Sequence, residues 1–205
     1  AAGGVACTIV YEVTPTEDHY VISKNVFNPT VAEKDWSLKI TGLVANPLNF
    51  TLTDLKNLPN VTRTSTLTCI SNLVGGNLIG NSEWTGVKLK DILEIAGVKE
   101  SANELILKGV DNYSDSFSLA DALRDSTIIA YFQNGEPLTV DHGFPARVLV
   151  PGIYGMKNVK WILEIELSDQ DFQGYWQTRG WSDSAINQIM SRIDIAFQIT
   201  KAENR

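Results

Sequence analysis

The stretch Val61-Thr62-Arg63-Thr64-Ser65-Thr66-Leu67-Thr68-Cys69-Ile70-Ser71-Asn72-Leu73-Val74-Gly75-Gly76 decides how the chain is read. Its first eight residues are rich in β-branched side chains and alternate, which predicts a strand. That strand delivers Cys69 to a loop closed by a glycine pair. Rigid strands position a ligand better than free loops do, so the thiol is well placed to hold a metal. It also reads as a small buried hydrophobe, the usual fate of a free cysteine. The rest of the chain is read as scaffold around this residue.

Working outward, Trp36 to Val44 alternates apolar and polar residues and predicts a half-buried strand closed by Asn46-Pro47. Thr51 or Thr53 caps a short helix through Asp54 to Leu58, stopped by Pro59. Beyond Trp84-Thr85-Gly86-Val87, residues Leu89 to Ala96 place their apolar side chains on one helical face, with Gly97 as a natural stop. Further strands are predicted at Glu104 to Val110, Thr127 to Phe132, Arg147 to Val150 and Val159 to Leu167. Ser118 caps a second short helix through Leu119 to Leu123, and Asn134-Gly135 marks a tight turn. Residues 1–35 carry turn formers such as Thr14 to Asp18 and Asn28-Pro29, and read as an extended segment wrapping the core. Short helices among strands of mixed spacing, without a βαβ rhythm, predict an α+β domain with a mixed, coiled sheet. The expected organisation is a single domain over residues 1–205, with 1–13 as a loose N-terminal segment.

Seventeen basic residues against 24 acidic ones give a formal charge of −7, with no basic run, so nucleic acid is not an expected partner. There is no apolar run of about 18 residues, and no signal peptide with a basic start. Cys7 and Cys69 allow one disulfide at most and lack the CxxC spacing of zinc or dithiol sites. With only His19 and His142 besides, a metal would take most of its ligands from elsewhere, such as an organic cofactor.

A second candidate region begins at Asp141-His142-Gly143-Phe144-Pro145-Ala146-Arg147 and continues through Pro151-Gly152-Ile153-Tyr154-Gly155-Met156-Lys157-Asn158-Val159-Lys160-Trp161. Glycines let backbone N–H groups approach a ligand and form an anion nest, to which Arg147, Lys157 and Lys160 add charge. Arginine offers bidentate hydrogen bonds and lysine a point charge, a combination suited to a phosphate ester. The other reading is a turn with solvated lysines and a core-facing tryptophan. His142 by itself reads as structural.

Taken in order, Cys69-Ile70-Ser71-Asn72, Trp84-Thr85-Gly86-Val87-Lys88-Leu89, Asn134-Gly135-Glu136-Pro137-Leu138, His142 to Arg147, and Val150-Pro151-Gly152 through Lys160-Trp161 resemble the molybdopterin-binding domain of the sulfite oxidase family. That family includes plant nitrate reductase and the bacterial methionine-sulfoxide reductase catalytic subunit. The resemblance runs from about residue 14 to residue 194 and implies the sulfite-oxidase-like fold with a molybdenum–molybdopterin cofactor. It gives Cys69 the place of the one protein thiolate on molybdenum, beside two pterin dithiolene sulfurs. It implies that His142 and Arg147 hydrogen-bond the pterin and its phosphate, that Asn158, Val159 and Lys160 hold the phosphate end, and that Asp111 contacts the pterin. Tyr20, Val21, Ser23 and Lys24 match the early strand that lends backbone and side chains to the cofactor.

Departures from the family pattern bear on the substrate. Ile22 and Leu73 stand where animal sulfite oxidases carry arginines, and Trp181 stands where they carry a catalytic tyrosine. Loss of two arginines removes charge-assisted hydrogen bonds for a sulfite dianion. Arg179 is a candidate to supply one positive charge in their place, and Ile22, Leu73 and Trp181 would line an apolar pocket. Ser71-Asn72 also differ from the methionine-sulfoxide reductase pattern, and the chain looks most like bacterial members of unassigned substrate.

The resemblance therefore implies an oxidoreductase moving an oxygen atom to or from a small substrate, with Cys69, Trp181 and Arg179 as catalytic candidates. It implies electron exchange with a haem- or quinone-linked partner, one that can be membrane-bound, in an extracytoplasmic setting. The chain stops shortly after Ser191 to Asp194, where family sulfite oxidases continue into a dimerisation domain, so a monomer is expected. Two rivals remain: a sulfoxide or N-oxide reductase of the same fold, and a cofactor-free binding domain that lost the chemistry.

Overall fold

A computed structural model describes residues 13–190. The expectations for Cys7, for the loose segment up to residue 12 and for residues 191–194 lie outside the described residues. The strands divide into two five-stranded sheets. In chain order, the first sheet takes β1 (Leu38–Gly42), β2 (Leu48–Phe50), β5 (Glu104–Gly109), β6 (Ser114–Ser118) and β10 (Ile162–Ser168). The second takes β3 (Asn60–Thr68), β4 (Ile79–Lys88), β7 (Ile128–Gln133), β8 (Glu136–Pro137) and β9 (Arg147–Leu149).

The first sheet runs β2-β1-β10-β5-β6 and is mixed, because β1 and β10 are parallel while its other pairs are antiparallel. The second runs β3-β4-β7-β8, with β9 also on β7, and is antiparallel throughout. The helices α1 (Leu52–Asn57), α2 (Leu89–Ala96) and α3 (Leu119–Ala122) are short. Thr51 is the cap of α1, closing a reciprocal capping box with Asp54. Gly97 ends α2 at φ +66°, a conformation that costs glycine little.

Most buried apolar side chains form one large core that includes Trp36, Leu38, Ile40, Leu55, Leu93, Leu107 and Ile165. A smaller cluster of Leu67, Trp84, Ile128, Ala130, Leu138 and Leu149 packs beneath Tyr20 and Phe144. This second cluster matters for function, because it seats the end of β3 and the strap from residue 13 onward against one rigid base.

Sequence patterning predicts no strand over β4 or β6. The buried face of β4 carries Gly80, Ser82, Trp84 and Gly86, so small and polar residues occupy positions where apolar alternation is expected. Ser82 is buried but satisfied, since Gln133 Nε2 donates to its hydroxyl at 3.0 Å. In β6, Asp115 and Ser116 are fully buried and equally unlike a strand pattern.

Candidate active site

β3 pairs with β4 from Asn60↔Val87 to Thr68↔Ile79, and Cys69 is the first residue past its end. A compact loop then returns the chain to β4. Cys69 N–H donates to Leu78 O at 2.9 Å, Asn72 N–H donates to Cys69 O at 3.0 Å, and Leu78 N–H donates to Asn72 Oδ1 at 2.9 Å. Gly76 is required here: a Cβ would fall 2.5 Å from Asn72 Oδ1. The thiol is free and half-buried, with its Sγ 3.1 Å from Ser71 Oγ.

The strap that precedes β1 crosses in front of this loop. It is tied to β4 by Thr14 N–H donating to Asn81 O at 2.6 Å, and to the Asn134 turn by Asn134 Nδ2 donating to Thr14 O at 3.0 Å. His19 then packs over Gly80, where a Cβ would lie 2.5 Å from its imidazole. Farther along, Lys24 Nζ donates to Asp111 O at 2.8 Å, Asn25 Nδ2 to Asp111 Oδ2 at 3.0 Å, and Asn28 Nδ2 to Asp141 Oδ1 at 2.7 Å.

Together these elements enclose a cavity of about 200 Å³. Cys69 and Lys160 both line it, so the thiol and the basic loop share one space. Tyr20, Val21, Ser23, Lys24, Asp111, His142, Arg147, Asn158 and Val159 are on the wall as well, and so is Trp181. The sequence-derived cofactor residues, scattered from 20 to 160, are thus brought together. Leu73 is not: it is 79% exposed and stands off the wall, while Ile22 and Trp181 remain on it. Arg179 also stands off, with its guanidinium 3.7 Å from the Tyr175 ring centre and donating to Tyr175 O at 2.6 Å.

Lys157 corrects another expectation. It belongs to the short 3-10 turn Gly155–Lys157, but its ammonium is buried between Asp115 and Asp183, 3.1 Å from each, and does not serve the anion loop. The loop's charge therefore comes from Arg147 and Lys160.

Arg147 is buried and donates to His142 O and Asn158 O, both at 3.0 Å. Its Nε has no partner, and among the described residues no carboxylate pairs with it. Burial pushes its pKa down to about 10, so it stays charged at neutral pH. Lys160 donates to Asp141 O at 2.9 Å and lies 4.3 Å from the Trp161 ring centre. Burial, then the neighbouring Arg147, pushes Lys160 down to about 7. Arg147, buried without a paired carboxylate, is costly unless an anion joins it, and Asp141 and Asp111 only partly offset the burial of the adjacent Lys160. Arg147 lines the cavity and carries an N–H that no protein group accepts, a donor set that fits a phosphate.

His142 has both ring nitrogens engaged within the protein. Its Nε2 lies 3.2 Å from His19 O, and since a carbonyl only accepts, Nε2 carries the proton. Burial lowers its pKa, so the neutral ring's Nδ1 accepts from Thr139 Oγ1 at 2.8 Å. Asn158 likewise spends its amide on the loop: Oδ1 accepts from Val150 N–H at 2.6 Å, and Nδ2 donates to Tyr154 O at 3.1 Å. Asp111 Oδ1 accepts from Tyr113 N–H at 3.0 Å.

Sequence reasoning passed over His19, Tyr113, Gly155 and Trp176 as wall residues. His19 is held down to about 4 by burial, then by Arg147 and His142, and is neutral at physiological pH. No spacing links it to His142, 123 residues away, although their rings lie 5.4 Å apart. Gly155 did carry a signal as a loop glycine, but not its reason: a Cβ there would lie 2.4 Å from the Tyr20 hydroxyl.

The donor set constrains any metal. Among the described residues no group of three or more His, Cys, Asp or Glu side chains could hold one. A metal on Cys69 would then need an organic ligand for the rest of its coordination sphere, and a phosphate-bearing dithiolene meets both halves of the cavity.

Comparison with known proteins finds relatives over most of the chain. The family model for the oxidoreductase molybdopterin binding domain matches residues 25–176. The uncharacterized oxidoreductase YuiH of Bacillus subtilis (strain 168) is 35% identical over 146 residues, covering 71% of this chain and 72% of that protein. Mitochondrial sulfite oxidase of Drosophila melanogaster is 35% identical over 197 residues, covering 83% of this chain and 34% of that protein. Nitrate reductase [NADH] of Ulva prolifera is 35% identical over 195 residues, and the match spans 80% of this chain but only 22% of the reductase. The crystal structure of the sulfane dehydrogenase SoxCD from Paracoccus pantotrophus superposes with a TM-score of 0.73 at 32% identity, covering 79% of this chain and 45% of that one. By the extent of the family match and by its coverage of YuiH, this chain belongs to the oxidoreductase molybdopterin-binding domain family.

Proposed function

We propose that this domain is a molybdenum–molybdopterin oxidoreductase acting on a small substrate outside the cytoplasm and exchanging electrons with a haem- or quinone-linked partner. One observation carries the reading: Cys69 and the Arg147–Lys160 pair line the same cavity from opposite parts of the chain. When bound, the cofactor would supply two-electron redox chemistry and oxygen-atom transfer.

The chain's own residues bind, orient and tune. Cys69 would hold the metal as a soft thiolate, and the nearby Ser71 hydroxyl adjusts the electron density on its sulfur. Arg147 and Lys160 would bind the phosphate, and His142, locked by Thr139 and the His19 carbonyl, would fix one edge of the pterin. Asp111 tethers the strap through Asn25 and so closes the cavity over that edge.

The substrate side favours a neutral molecule. Ile22, Trp176 and Trp181 are on the wall, and Arg179 is turned onto Tyr175. Among the described residues a dianion would meet no arginine there, whereas a sulfoxide or N-oxide, polar at one atom and apolar around it, would be accommodated. Reduction of such a substrate is therefore the second reading, separated from oxidation by assaying both directions with artificial electron donors and acceptors. Protein from a cofactor-producing host is expected to contain molybdenum and pterin near one per chain and to turn over. Stoichiometric absence of both would favour the cofactor-free binding domain and sink the proposal.

A further inference from the structure

Lys157 is the centre of a buried polar cluster behind the cavity. The two carboxylates that flank it are not equivalent. Asp115 is fully buried and also receives the Tyr113 hydroxyl at 2.8 Å, Ser116 N–H at 2.9 Å and Gln177 Nε2 at 3.1 Å. Asp115 is thus the inner partner of Lys157, and Asp183, whose side chain is 50% exposed, is the outer one.

Asp183 sits in a loop fixed at both ends. On one side, Tyr175 N–H donates to Ser114 O at 2.9 Å and Gln177 is bound to Asp115. On the other, Tyr154 N–H donates to Ala185 O at 2.8 Å and Asn187 N–H donates to Gly152 O at 3.0 Å. Between these anchors Gly180 adopts φ +86°, turning the chain so that Trp181 comes back onto the cavity wall. There its N–H donates to Trp176 O at 3.2 Å, and the two indoles stand 6.1 Å apart, edge to face. Trp181 is nonetheless 40% exposed, so packing alone holds it loosely.

We propose that Asp183, through its contact with the buried Lys157–Asp115 pair, is a positioning residue that holds Trp181 as the outer wall of the substrate side of the cavity. The tether lies at the middle of a loop whose ends are already secured. A half-exposed ion pair adds little to global stability, but its loss is felt where local opening is cheapest. The consequence for substrate rests on the function proposed above; the pinning itself is a property of the chain.

Acrylamide quenching of tryptophan emission tests this on the full chain. Trp36, Trp84 and Trp161 are buried, so accessible emission comes from Trp181 and the half-buried Trp176. In Asp183→Asn the quenching slope should rise roughly twofold to fivefold, and Asp183→Glu should restore it. In a Trp181→Phe background the Asp183→Asn effect should vanish. Wild-type quenching in Asp183→Asn, an increase that survives without Trp181, or loss of cooperative unfolding in the variant would each overturn the proposal. Molybdenum content of the same preparations reports separately on the cofactor reading, so failure of one is distinguishable from failure of the other.

Discussion

Replacing Lys160 with Met removes the ammonium at the phosphate end while keeping most of the stem. A charge-assisted hydrogen bond contributes about 1.5–3 kcal/mol. At about 1.4 kcal/mol per tenfold, its loss weakens cofactor retention by about 10- to 150-fold. Stability should move differently. In the cofactor-free protein Lys160 sits at about 7, against an ordinary 10.5, because it is buried and faces Arg147. Its folded pKa is lowered, so from pH 7 to 10.5 the unfolded chain holds a proton that the folded chain has released. Stability of the cofactor-free wild type then rises with pH through that window, by at most about 1.4 kcal/mol per pH unit and less for a partly exposed group. Below pH 7 the cost of the desolvated ammonium is fully present, and the variant escapes it. Cofactor-free Lys160→Met should therefore match or exceed wild type at pH 6, its relative advantage shrinking as the pH rises from 7 towards 10.5. Urea unfolding across that range, with molybdenum and pterin retained after dialysis, reads both effects. A variant that retains cofactor like wild type, or whose stability deficit grows towards pH 6, would refute the reasoning.

Cys69→Ala should unfold within a few degrees of wild type, since the half-buried thiol fills little core, yet abolish turnover and lower molybdenum content; full activity with bound metal in this variant would exclude the thiol as ligand. Gly155→Ala places a methyl 2.4 Å from the Tyr20 hydroxyl and should displace the strap, destabilising the fold by about 1–3 kcal/mol and speeding cofactor loss in dialysis. Asp115→Ala leaves the Lys157 charge buried beside Asp183 alone and should cost about 3–5 kcal/mol in chemical denaturation.

Much of the fold was legible because local physics and tertiary structure agree there. The strand into Cys69, the Thr51 cap, the stop at Gly97 and the Asn134-Gly135 turn all stand where residue chemistry places them. β4 and β6 were hidden for a common reason: their buried faces are polar or small, made tolerable by Gln133, Tyr113 and Lys157 from distant parts of the chain. The same nonlocality explains Lys157. Nothing adjacent in sequence shows that Asp115 and Asp183 converge on it, so it read as a third basic group for an anion. Arg179 was drawn to the pocket by chain position, but stacking on Tyr175 and a bond to its carbonyl hold it elsewhere. His19 reaches the wall only because Gly80 leaves room above β4. Cys69, Arg147 and Lys160 were readable from motifs, whereas the pairing of β3, β4, β7 and β9 that brings Cys69 and Arg147 into one sheet has no local signal.

Molybdenum K-edge X-ray absorption on wild type and Cys69→Ser, produced in the same cofactor-competent cells, tests the assignment of the thiol most directly. The expected result is one fewer sulfur neighbour around molybdenum in the variant. An unchanged sulfur count, or wild-type protein without molybdenum from such a host, would contradict it.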